Sequence, residues 1–128
     1  MSTLTVTNIK KTGETNSREV SGVAAAWAHV NAGNAAISDS VNISSIDDDA
    51  TGEFGLNYTN AMNSSTYCAT ATITFSHDHN VQAQRILTIE SKGTSSVEVD
   101  AGYINSAGDN LSLDIGTDGS VLIHGDLA

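Results

Sequence analysis

The sequence contains no proline, so its turns must be built from Gly, Asn, Asp and Ser. Its single cysteine, Cys68, has no partner within the chain, which excludes a disulfide scaffold. Basic residues are scarce: Lys and Arg total 5 against 15 Asp and Glu, a formal charge of −10. That balance argues against a nucleic-acid binder, which needs clustered cations to displace counterions from phosphates. No long unbroken apolar run occurs, so no segment reads as a transmembrane helix and no membrane insertion is expected. The start, Met1 to Thr7, lacks a basic stretch followed by an apolar one, so no secretory leader is expected. A G-x-S-x-G nucleophile elbow, a phosphate loop and a dinucleotide fingerprint are also missing, and with them local support for catalysis.

What is present fits one domain of the all-β class. A chain of 128 residues lies within the usual single-domain range and can bury roughly two-thirds of its unfolded surface. Charged residues make up 16%, below the roughly 25% usual for soluble domains. Ser, Thr, Asn, Gly and Ala supply much of the rest, a mix that suits sheets with small polar outer faces. The clearest pattern runs from Tyr67 to Phe75. There Tyr67, Ala69, Ala71, Ile73 and Phe75 share one face, and Cys68, Thr70, Thr72 and Thr74 the other. Period-two alternation over that length predicts a half-buried strand. Similar runs cover Leu4 to Ile9, Ile37 to Ile46, Phe54 to Tyr58, Arg85 to Glu90, Val97 to Tyr103, Leu111 to Ile115 and Val121 to His124. Turns are expected at Asn31 to Asn34, Asp47 to Gly52, Ser106 to Asp109 and Thr117 to Gly119. This spacing predicts a single-domain antiparallel β-sandwich or jelly-roll-like fold.

Val20 to Val30 is the one segment in which helix competes, through Ala24, Ala25 and Ala26 with Ser21 as a cap. Gly22 and the short length favour strand, with Trp27 packed into the core. Residues 1–20 read as an extended N-terminal arm or first strand, and residues 21–128 as the sandwich. The arm carries Lys10, Lys11 and Arg18, which could reach an acidic neighbouring subunit or simply be solvated.

Three clusters have the residue types of a site. Asp47, Asp49, Thr51 and Gly52 follow the first half of a calcium loop, but Tyr58 stands where the bidentate Glu belongs. A hairpin with a solvated acidic tip is the expectation for Asp47 to Glu53. His77 and His79 would point to one face of a strand about 6–7 Å apart. Two imidazoles are too few for a metal in one chain, though a threefold axis would bring three such pairs together. A polar hairpin end is the simpler reading. His29 and His124 lack ligand spacing and read as structural or surface residues. With only 5 Lys and Arg in the chain to activate a thiol, Cys68 is expected to be an inert packing residue. No catalytic, cofactor or metal residue is therefore assigned.

Four segments carry a family resemblance. Gly22 to Gly33 (GVAAAWAHVNAG) resembles, in degenerate form, the K-A-W-V-N-F-N-G segment of small tailed-bacteriophage structural proteins of the tail-fibre-like kind. Val41 to Ile46 resembles that family's NVSSI strand, Thr51 to Met62 its TGDYTVNFTTAM stretch, and Val121 to Asp126 its terminal VAVFGD. Tyr67 sits where an aromatic opens the family's next strand. Ala25, His29 and Val30 replace the motif's Lys, first Asn and Phe, so contacts made by those side chains are not carried over. The resemblance implies a non-enzymatic virion protein on the particle exterior, made in the host cytoplasm and released by lysis. Since the domain fills the chain, a capsid decoration (cement) protein is the leading expectation, with a tail fibre or receptor-binding tip as the alternative. Its expected partners are capsid or tail subunits and its own copies, as a homotrimer, without cofactors.

Overall fold

The computed structural model describes residues 8–9, 18–19, 24–31, 35–73, 84–105, 107–112 and 118–128. Among them the protein is all-β, with two antiparallel sheets packed against each other as a β-sandwich. The first sheet has the order β4(Ala36–Val41), β3(Ala24–Asn31), β11(Asp118–His124), β7(Cys68–Ile73). In the second, β9(Ser96–Ile104) lies between β8(Gln84–Lys92) and β6(Glu53–Tyr58), with β5(Ile43–Ala50) outermost beside β6. β10(Asn110–Ser112) continues the β6 side of β9. In the segment expected as an arm, β1(Asn8–Ile9) and β2(Arg18–Glu19) pair antiparallel; Lys10 and Lys11 lie outside the described residues.

Alternation decides which side chains meet between the sheets. Ala26, Ala28 and Val30 from β3 and Val121 and Ile123 from β11 face Phe54, Leu56 and Tyr58 from β6 and Val97, Val99 and Ala101 from β9. Large and small residues occur on both walls, which lets the side chains of two sheets about 10 Å apart interdigitate. Tyr67, Ala69, Ala71 and Ile73 turn inward and Cys68, Thr70 and Thr72 outward, as their alternation predicts. Thr74 and Phe75 lie outside the described residues.

Four expectations are corrected. Trp27 is not a core residue. It shares its parity with His29 and Asn31, and Ala26 and Ala28 on either side take the buried positions. The run Ile37 to Ile46 is not one strand: Asn42 adopts φ 58° and turns the chain out of β4 into β5 of the other sheet. A left-handed residue interrupts the pleat, and Asn is one of the few residues that tolerate it. Asp47 to Ala50 belong to β5, and the turn is confined to Thr51 and Gly52, with Gly52 at φ 80°. Asp118 and Gly119 open β11 instead of lying in a turn.

Asn42 also ties this corner to the crossover after β6. Its Oδ1 accepts from Asn60 N at 2.8 Å, its Nδ2 donates to Asn60 O at 3.0 Å, and its carbonyl accepts from Thr59 N at 3.0 Å. The chain end is held by the same crossover: Asn63 N donates to Asp126 O at 2.8 Å and Ala128 N to Ala61 O at 2.9 Å.

Candidate functional site

The two outer faces of the sandwich differ in chemistry. On the first sheet, β3 places Trp27 beside Val41 of β4 and Leu122 of β11, and Leu122 stands beside Thr70 of β7. The result is a stripe of Val41, Trp27, Leu122 and Thr70 across all four strands. A parallel row follows it, in which Asp39, His29, Ser120 and Thr72 are register partners. Val41 is 47% exposed and Leu122 36%, while Trp27 is half-buried against its neighbours. Between the two rows lies an open groove of about 370 Å³ with Trp27, Ala28, Val121 and Leu122 in its lining. That volume is within the range of small-molecule sites, roughly 300–1,000 Å³. Another recess, about 130 Å³ beside Asn63, Thr66 and Asp126, is too small for one.

The second sheet turns carboxylates outward. Glu53 pairs with Asp100, and Glu98 crosses Gly55, which in turn faces Asp47. A Cβ on Gly55 would stand 2.7 Å from Glu98 Oε2, so the glycine makes room for the carboxylate to lie over β6. Ser96 Oγ donates to Glu98 Oε1 at 3.0 Å, and Asn57 Nδ2 to Asp47 Oδ2 at 2.6 Å. The crowding is felt by Glu90, whose carboxyl is held above its usual range chiefly by Asp100, then by desolvation, Glu53, Glu98 and Asp49. Neighbouring negative charges disfavour the ionised form of Glu90.

Asp47 and Asp49 lie on a strand, so the alternate-position ligand loop is not formed there, and no group of three or more His, Cys, Asp or Glu able to hold a metal occurs among the described residues. His77 and His79 lie outside those residues. His29 lies opposite Asp39, and His124 opposite Cys68 and Ala24. Cys68 is exposed on the outer face, which corrects its reading as a packing residue.

Sequence reasoning also missed a buried tyrosine pair. Tyr58 OH donates to Tyr67 OH at 2.8 Å, and Tyr67 OH to Ser96 O at 3.2 Å, with the rings edge to face at 6.1 Å. Lys92 Nζ donates to Tyr67 O at 2.8 Å and sits 5.5 Å from the ring centroid. Every group has its partner inside the chain, so the arrangement closes the end of the sandwich rather than offering a site. Burial pushes both phenols above their usual range.

Comparisons with known protein families, with characterised proteins and with solved structures find no match to this chain. Fold and geometry together define an antiparallel β-sandwich with an apolar stripe on one outer face and carboxylates on the other.

Proposed function

We propose that this chain is a non-enzymatic structural protein on the exterior of a tailed-bacteriophage particle, a capsid decoration protein that works as a homotrimer. The observation that carries the reading is the opposition of the two sheet faces: Val41, Trp27 and Leu122 on one, Glu53, Glu98 and Asp100 on the other. An apolar stripe of that kind is surface that burial in an assembly would stabilise, at about 25 cal/mol per Å² removed from water. The acidic face suits contact with water. A decoration protein adds its stabilisation through many modest contacts repeated over the shell. The sequence resemblance from Gly22 to Asp126 supports the virion class, and the all-β fold agrees with it.

The tail-fibre reading draws on the groove itself, since an indole flanked by Thr70, Thr72 and Ser120 hydroxyls could stack against a receptor sugar. Copy number on purified particles separates the two. Decoration predicts copies spread in large number over the head, whereas a fibre predicts a few confined to the tail. Absence from particles would overturn both.

A further inference from the structure

We propose that the Trp27 face is where copies of this chain meet, so that the occupant of its groove is a second copy of the same protein. The inference rests on the reading of the chain as an oligomeric structural protein, and adds which face is buried.

Charge selects the face. The chain carries −10 overall, and two copies meeting through the second sheet would oppose Asp47, Glu53, Glu98 and Asp100 with their own images. Glu90 already shows the mutual repulsion of this face within one copy. Like charges brought together across an interface cost several kcal/mol. The strands of the Trp27 face carry two carboxylates, Asp39, whose Oδ1 accepts from Ser40 N at 2.9 Å, and Asp118 at the start of β11 in register with Asn31. The Trp27 face is therefore the broad surface on which this acidic protein can approach itself.

Distance completes the argument. In a face-to-face pair, the two acidic sheets are separated by three inter-sheet gaps of about 10 Å each. That is roughly 30 Å against a Debye length of about 8 Å at physiological salt, so their repulsion is screened. A threefold arrangement around Trp27 turns the acidic sheets outward in the same way. The stripe through Trp27 and Leu122 occupies the two central strands of its sheet, so it can lie on a symmetry axis and meet itself. A small ligand fits less well, because the groove presents mainly apolar surface, with His29, Thr70, Thr72 and Ser120 as its polar lining.

The test is sedimentation velocity on the full chain over a wide concentration range, read together with fluorescence of Trp27, the single tryptophan. A dimer or trimer is expected, with emission shifting to the red as dilution exposes the indole. Association should weaken at low ionic strength, where the Debye length grows to about 30 Å. Leu122→Glu and Thr70→Glu both place a charge on this face at exposed positions, and each should weaken association at least about tenfold with unchanged circular dichroism. A chain that stays monomeric at high concentration, or oligomers that persist in both variants, would overturn the inference. A monomeric chain that is nonetheless found on particles overturns this inference alone, whereas absence from particles overturns the reading beneath it.

Discussion

Trp27 and Leu122 stand opposite each other on the antiparallel strands β3 and β11, at the centre of a sheet and on its outer side. Two large apolar side chains in that position contribute little to the core and much to the surface. The free chain should therefore tolerate truncation there. Trp27→Ala should cost clearly less than the about 3–5 kcal/mol of a core tryptophan, while Leu56→Ala, fully buried in β6, should cost about 2–5 kcal/mol. Urea denaturation of both variants at low protein concentration checks the order, which a core position for Trp27 would reverse.

The Asn42 corner combines a left-handed backbone with a bonded side chain, and two substitutions separate these. Asn42→Gly keeps the φ of 58° accessible but loses the bonds to Asn60. Asn42→Ala loses the bonds and adds backbone strain of about 1 kcal/mol. Stability should fall in the order wild type, Gly, Ala; an Ala variant as stable as the Gly variant would contradict the account.

Gly125 gives a harder steric limit. A Cβ there would meet Met62 Cε and Tyr67 Cβ, each at 2.7 Å. The methionine end can swing away, but Tyr67 is held by its hydroxyl and by Lys92. Gly125→Ala should lower stability by about 1–3 kcal/mol, measured by thermal or urea unfolding. Gly55→Ala, which meets only the movable Glu98 carboxylate, should cost less.

Titration of the two tyrosines predicts alkaline unfolding. Both phenols are raised in the folded chain, chiefly by burial, so above the ordinary tyrosine pKa of about 10 the unfolded chain loses protons that the native one keeps. Stability is then fully present below pH 10 and lost as pH rises beyond it. In Tyr58→Phe the loss above pH 10 should be shallower than in wild type, as denaturant midpoints across that range would show.

Glu90 acts in the acid range with the same sign. Its carboxyl, raised by Asp100 and its other acidic neighbours, binds a proton in the folded chain at a pH where the unfolded chain is ionised. Its effect is most favourable below the ordinary value of 4.5 and is lost as pH rises through the raised one. Glu90→Gln should therefore be more stable than wild type near pH 7, and the advantage should shrink toward pH 4. A constant difference would mean that the acidic face exerts no repulsion.

Much of the strand content was legible because alternation is a local signal. Tyr67 to Ile73 shows its buried and outer faces directly, and the parity of β3 places Trp27 with His29 and Asn31, away from Ala26, Ala28 and Val30. The expectation of a core tryptophan followed hydrophobicity where parity was the better guide. What was not legible depends on distant pairing. The stripe exists because β3 pairs with β11, and the acidic face because β5, β6, β8 and β9 assemble side by side. No local pattern specifies those neighbours. Asp47 to Ala50 read as a turn because acidic residues are poor strand formers, yet pairing with β6 overrides that preference.

Cryo-electron microscopy of particles purified from a lysate that produces this chain tests the proposed virion role most directly. The account predicts copies of this β-sandwich on the outer shell, with the Glu53 and Asp100 sheet facing solvent and the Trp27 sheet covered by protein. Particles that lack the sandwich, or that carry it with the Trp27 face open to water, would contradict it.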